Sequence, residues 1–417
     1  LSATKYWLWF SGLRGVTPKT KSTLLDYFQQ PEQIYFASEH ELVIASKLSR
    51  EEVEQLRLKE LGSYEQILDN CHKLDVNILT YQDSEYPERL RNIHNPPYVL
   101  YTKGRLPSID EEAAIGIVGT RKATPYGKKM ALNMGFEITK GGGYVISGLA
   151  AGIDSAGAEG ALRAGGGCIG VLGTAIDVIY PRFNKDLFED VCAVGALVSE
   201  YPPGTETIPA FFPQRNRIIS GLSVGVLVIE APRKSGALIT AARALEQGKD
   251  LFVVPGNADA FNCIGSNDLI KDCAKAVTTG RDILCEYEGL FPNKISLLSP
   301  KEASMPNEML RQEDITPKGK TSETGDGFYK LRIPSSKKVI DSESRKEYIG
   351  LEDQLKDLSA DQLKIVSVMN KPSLHVDDII DLCSLPASTV LSELTILELS
   401  GFVTQEKGKR FTLNIKK

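Results

Sequence analysis

The chain has 417 residues, more than one domain usually holds, so two or three domains are expected. Its 42% hydrophobic and 25% charged residues are those of a globular protein. The longest apolar runs, such as Ile115 to Val118, are too short to span a bilayer, and no contact with a membrane is expected. A net charge of −5 excludes a protein that coats nucleic acid with a general positive field, so any nucleic-acid site must be local.

Residues 1–82 read as short amphipathic helices separated by turn residues, a small helical domain of SAM-like or helix-hairpin-helix type. Leu1 to Gly12 holds Trp7, Trp9 and Phe10 but no basic leader with a long apolar run, so no secretory signal is expected. The stretch from Leu13 through Gly15 and Pro18 to Thr20 reads as the hairpin between two helices. Such a hairpin either holds a DNA phosphate on the N–H groups of a helix start or belongs to a plain helical interaction module. From Tyr86 to Tyr101 the chain is punctuated by Pro87, Pro96 and Pro97 and suits an extended connector.

From Ala113 to about Tyr287 short β-branched runs alternate with helical stretches, the pattern of an α/β fold on a parallel sheet, and a domain over 83–290 is expected. The strands are placed at Ile115–Val118, Tyr144–Ser147, Cys168–Leu172, Ala196–Ser199, Val224–Ile229 and Leu251–Val254. Thr124 and Pro125 predict the cap and first turn of a helix running to Lys140. Ligands of such sheets bind at the carboxyl ends of the strands, so the loops beginning at Gly119, Gly148, Gly173, Ala231 and Pro255 should share one rim.

Residues 291–354, rich in Lys, Glu, Ser, Pro and Asp, read as a linker. Residues 355–417 give three helices and a hairpin, Phe402–Thr404 with Arg410–Asn414, which fits a winged helix. Its third helix, from Pro386 to Ser400, carries Glu393 and Glu398 but no Lys or Arg, so major-groove reading is not expected. Lys407, Lys409, Arg410, Lys416 and Lys417 are left as its backbone-contacting cations, and a protein-interaction role is the better reading.

Seven scattered cysteines with no C-x-x-C pair point to reduced thiols in the cytoplasm rather than disulfides or zinc. The four histidines all fall outside the segment from Gly104 to Leu290, which removes the commonest general base and metal ligand from the central domain. No catalytic residue, metal or cofactor is expected there.

The rim carries cations instead. Gly119, Thr120 and Arg121, before the helix at Pro125, offer backbone N–H groups, a hydroxyl and a guanidinium to one phosphate. They match neither G-x-G-x-x-G nor a P-loop. Gly148 and Gly152 allow close backbone approach, and Asp154 is placed as the cap of the next helix. The run from Phe211 and Phe212 through Arg215, Asn216 and Arg217 combines ring faces for bases with forked cations for phosphates, as an unpaired strand requires. The competing reading gives Asn216 and one arginine to internal hydrogen bonds and a phenylalanine to the core. Lys234, Ser235 and Gly236 add a cation and a tight turn. The later Pro255–Asn257 and Gly265–Ile270 stretches are explained by caps and turns alone.

In this order and spacing, GTRKATPYG, SGLAAGID, FPQRNRIISGLS, KSGALIT, VPGN and GSNDLI resemble the DprA/Smf family of DNA-processing proteins. The resemblance implies a Rossmann-like domain between a helical module and a winged helix. It further implies a non-enzymatic cytoplasmic homodimer that binds single-stranded DNA, protects incoming DNA and loads the RecA recombinase during natural transformation. Gly119, Thr120, Arg121, Phe212, Arg215, Asn216, Arg217, Lys234, Ser235 and Gly236 are the DNA-binding candidates, with Arg121, Arg215, Arg217, Phe212 and Lys234 carried over from the resemblance. Ala151, Ala158, Ala237 and Cys273 depart from the family pattern, and the first two remove polar groups from the second loop. Two other readings stay open. A nucleotide phosphoribohydrolase on a similar sheet would show a Pro-Gly-Gly-x-Gly-Thr loop before a catalytic glutamate, where this chain reads Glu230-Ala231-Pro232. A pure scaffold would leave the central domain unable to bind DNA.

Overall fold

A computed structural model describes residues 3–59, 61–272, 274–297, 359–368, 374–383, 385–399, 403–406 and 410–413. Contacts divide the chain into two compact units, residues 1–331 and 332–417.

The first unit is built on a nine-stranded sheet. In chain order its strands are β1 (Asn77–Thr80), β2 (Val99–Gly104), β3 (Ala114–Gly119), β4 (Tyr144–Ser147), β5 (Cys168–Leu172), β6 (Ala196–Ser199), β7 (Gly225–Ile229), β8 (Asp250–Val253) and β9 (Lys275–Ala276). Their spatial order is β1-β2-β6-β5-β4-β3-β7-β8-β9; β1 and β2 run antiparallel to their neighbours, and β6 through β9 form a parallel block. The strand order reverses at β3, which puts the crevice of a Rossmann-like sheet beside the carboxyl ends of β3 and β7. All six predicted strands form, to within a residue at each end. β1, β2 and β9 were not foreseen, and the connector expected around Pro96 and Tyr101 delivers β2 instead.

Successive residues of the central strands enter opposite cores. Ile115 and Ile117 join one cluster and Ala114 and Val118 the other, as the two-residue period of a strand requires. Both faces are covered, which is why β3, β5 and β7 read as unbroken apolar runs. On one face the helix Pro125–Lys140 begins as predicted, the Thr124 hydroxyl accepting from the Gly127 N–H at 3.1 Å. It crosses the helix Ile153–Arg163 at glycines: a Cβ on Gly135 would fall onto the Gly157 carbonyl, and one on Gly160 onto that of Leu132. On the other face lie the helices Phe211–Leu222 and Gly236–Glu246.

Among the described residues six helices precede β1, and their Trp7, Trp9, Phe10, Leu24 and Ile34 join the cluster that holds Ile115 and Val145. The hairpin before Pro18 does not present a bare helix start. The Glu52 carboxylate accepts the Thr17 N–H at 3.1 Å, so an anionic side chain of the protein already stands at this helix start. Of the expected linker, residues 291–297 are described, with the Ser296 N–H donating to the Gly141 carbonyl; the remainder lies outside the described residues, as does Cys273.

The second unit is a winged helix. It contains the helices Ala360–Val368, Val376–Cys383 and Ala387–Leu399 and a three-stranded sheet, β10 (Leu374–His375), β11 (Val403–Glu406) and β12 (Arg410–Leu413), around Ile365, Ile379, Leu394 and Phe411. Glu393 on the third helix accepts from Gln362. Lys407, Lys409, Lys416 and Lys417 lie outside the described residues, and Arg410 opens β12.

Candidate nucleic-acid interface

A cleft of about 580 Å³ opens at the carboxyl ends of β3 and β7, between the starts of the helices Phe211–Leu222 and Gly236–Glu246. Nine of the ten sequence candidates line it: Gly119, Thr120, Arg121, Phe212, Arg215, Asn216, Lys234, Ser235 and Gly236. The tenth, Arg217, does not.

The first wall is the turn after β3. Gly119 has no room for a side chain, since a Cβ would strike the Ile229 carbonyl and sit 2.5 Å from Ile153. Thr120 donates its N–H to the Glu230 carbonyl at 2.8 Å, and its hydroxyl oxygen accepts from the Lys122 N–H. Glu230, buried at the end of β7 with φ 50°, takes the Thr124 N–H at 2.8 Å and the Thr124 hydroxyl. This clasp fixes the turn and leaves Arg121 exposed at its tip. There its guanidinium lies 5.3 Å from the centre of the Phe212 ring.

Phe212 is placed by a gap: a Cβ on Gly173 would lie 2.7 Å from its ring, so the glycine after β5 makes its seat. Tyr180, half exposed, tilts against the same ring at 5.4 Å and also lines the cleft. The sequence reading missed Tyr180, which belongs to no motif and reaches the rim from a loop. Phe211 points elsewhere, stacked on Tyr201 at 3.7 Å.

The floor is an internal network. Arg215 is 4% exposed, donates to the carbonyls of Gly148, at 2.9 Å, and Val171, and reaches the Asn216 side-chain oxygen at 3.2 Å. Burial lowers its pKa to about 10, opposed by the nearby Asp154 carboxylate. Asp154 does not cap its own helix as expected. It is the second residue of that helix, behind Gly152, and instead accepts the Gly119 N–H at 3.3 Å. Burial raises its pKa to about 6, although Arg215 and the Gly119 amide pull the other way. Gly148 separates the two: a Cβ there would lie 2.5 Å from Asp154 Oδ2 and 2.6 Å from Arg215 Nη1. Asn216 donates to the Gly236 carbonyl at 3.2 Å, tying the two walls together, and Ser235 caps the second helix by accepting from Ala237. Lys234 stands exposed beside it.

Arg217 is corrected from a contact in this cleft to an internal cation outside it. Its Nη2 donates to both oxygens of Glu200 at 2.6 Å, and its residue is 8% exposed. The reason is helical geometry: residues two apart on the helix Phe211–Leu222 point to nearly opposite sides, so Arg215 and Arg217 cannot share a surface. The later turn residues behave structurally, as expected. Asn267 bonds both the N–H and the carbonyl of Gly256, and Ser266 bonds the Cys263 carbonyl.

Comparison with known proteins agrees with this architecture. Residues 77–288 match the family described as DNA recombination-mediator protein A, and residues 351–409 match the DprA winged helix domain. Protein Smf of a Synechocystis strain is 33% identical over 415 residues, covering 98% of each chain. The DNA processing protein DprA of Bacillus subtilis is 42% identical over 211 residues, 51% of this chain and 71% of that protein. The crystal structure of DNA processing protein A from Streptococcus pneumoniae superposes with a TM-score of 0.60 at 32% identity, covering 68% of this chain and 97% of the other.

Proposed function

The chain belongs to the DNA recombination-mediator protein A family, and from that premise we propose that it binds single-stranded DNA in the cleft after β3 and β7, without catalysing a reaction on it. The observation that carries this reading is the pairing of Arg121 with Phe212 at the mouth: an exposed guanidinium for a phosphate and a ring for a base. Lys234 and the start of the helix Gly236–Glu246 offer a second phosphate position on the opposite wall. Thr120, Asn216, Ser235 and Gly236 shape that groove, and Arg215 holds its floor.

A binding role is also favoured over nucleotide hydrolysis by what the buried polar groups do. Arg215 is spent on carbonyls, Asp154 on amides and Glu230 on Thr124, so the glutamate at the end of β7 is a structural clasp. The finer activities follow the family resemblance: protection of incoming DNA and loading of RecA during natural transformation, by a homodimer in the cytoplasm. No described helix is long and apolar enough to cross a membrane.

The test is a gel shift of the full chain against single- and double-stranded oligonucleotides at two salt concentrations. Tighter binding of the single strand, weakening with salt by about 0.7 log units per log unit for each phosphate held, is expected. Equal affinity for both forms, or release of free base from nucleoside monophosphates, would reject the reading.

A further inference from the structure

We propose that the polynucleotide path continues beyond this cleft along the outer side of the helix Gly236–Glu246 and ends in a second, smaller cavity that takes a nucleobase; this rests on the single-strand reading above. Three concavities follow one another along that helix. The cleft shares Lys234, Ser235, Gly236 and Ile239 with a shallow trough of about 600 Å³. The trough shares Arg243 and Glu246 with a cavity of about 200 Å³ at the junction of the N-terminal helices with the sheet. An 11-residue helix is about 16 Å long, room for up to about five stacked nucleotides at 3.4 Å each.

The trough has the chemistry of a backbone track. Arg233, Lys234 and Arg243 line it, with Arg233 held by Asp268 at 3.2 Å and Arg243 by Glu246 at 2.6 Å. Both ion pairs are largely exposed, so they contribute little and yield readily to a phosphate. Ile239, 41% exposed, gives a sugar or base an apolar step between the cations.

The terminal cavity has the chemistry of a base edge. Arg217 and Gln247 line it with His94 and Asn95. Arg217 is more than nine-tenths buried, yet its Nη1 has no partner among the described residues, and neither has the buried side-chain oxygen of Gln247. Its buried cation, Arg217, is compensated by Glu200, so a neutral ligand fits better than an anion. An unmatched donor together with an unmatched acceptor suits a base edge, where an acceptor and a donor stand side by side, as N7 and N6 do in adenine. The ion pair that removes Arg217 from the first cleft therefore leaves it one buried, unmatched Nη1 beside the cavity at the far end of the path.

The experiment measures fluorescence anisotropy of the full chain with dT oligonucleotides of about four to about sixteen residues, alongside Arg243→Glu and Gln247→Ala, both changes at the accessible end of the helix. For the unaltered chain affinity should rise again once the oligonucleotide outgrows the cleft. In each variant the long oligonucleotide should lose about tenfold while the shortest one that binds keeps its affinity. A 4-thiothymidine at one end of the long oligonucleotide should crosslink to the peptide holding His94 and Asn95 or to that holding Gln247. An unchanged length dependence in both variants, or crosslinks confined to the first cleft, overturns the extension and leaves the cleft standing. Absence of binding at every length overturns the single-strand reading itself.

Discussion

Arg121 meets the Phe212 ring in space and Arg217 follows that phenylalanine five residues later in sequence, yet their replacement by alanine should fail in opposite ways. Arg121 is exposed and its guanidinium lies over the Phe212 ring, a contact of about 0.5–1 kcal/mol, so Arg121→Ala should leave the melting temperature almost unchanged. Its lost phosphate bond, worth about 1.5–3 kcal/mol, should weaken oligonucleotide binding about tenfold to a hundredfold and reduce the salt slope by about 0.7. Arg217 instead neutralises Glu200, with side chains 10% and 20% exposed. Arg217→Ala strands that carboxylate and should cost about 3 kcal/mol of stability, with little change in binding of a short oligonucleotide by the protein that remains folded. Circular-dichroism melts and anisotropy titrations at three salt concentrations separate the two. A stable Arg217→Ala protein that no longer binds short oligonucleotides, or an Arg121→Ala protein with an unchanged salt slope, would refute the assignment.

Phe212→Ala should weaken binding by about 1–3 kcal/mol on an ordinary oligonucleotide and by much less on an abasic one, since the ring then has no base to meet; equal losses on both would deny stacking. Asp154 has a folded pKa of about 6, raised from 3.8, so the folded state holds more protons than the unfolded one between those values. Its contribution therefore favours folding progressively as pH falls through 6 toward 3.8. Neutralising it also removes an anion from the cleft floor, so binding should tighten from pH 7.5 to 5.5 (about two decades of proton activity across that pKa). Asp154→Asn should flatten this dependence in a titration across the range. Gly160→Ala places a methyl group on the Leu132 carbonyl and should destabilise by about 2 kcal/mol or more in chemical denaturation, whereas alanine at Gly236, where a Cβ meets nothing within 4 Å, should be nearly neutral for stability.

The central sheet was legible because each of its strands is buried on both faces and bounded by turn residues, so burial wrote itself into β-branched runs such as those of β5 and β7. The helix at Pro125 was legible through its cap. β1 and β2 were not: they add to the sheet antiparallel, and the prolines between them disguise a long connection as an irregular one. In the site, the gathering of nine candidates at one cleft was legible and the directions of their side chains were not. Without the helix from Phe211 to Leu222, Arg215 and Arg217 look like one paired clamp; with it they lie about 200° apart around the axis. Asp154 carries the residue type of a cap, but its partner is an amide 35 positions earlier, a relation that exists only once β3 and β4 pair. Tyr180 left no signal, because its role depends on where a loop after β5 returns.

The pin that Arg215 drives between the strand ends also decides who bears the cost of order. Bonded to carbonyls following β4 and within β5, it holds the crevice in shape before any polymer arrives. If the cleft takes a single strand as proposed, entropy is surrendered almost wholly by that strand, which would unstack and straighten to enter. Weakly stacked thymidine tracts surrender less than adenine tracts, which leave an ordered stack behind. Discrimination among sequences would in that case arise from the stiffness of the free polymer, with no amino acid reading a letter.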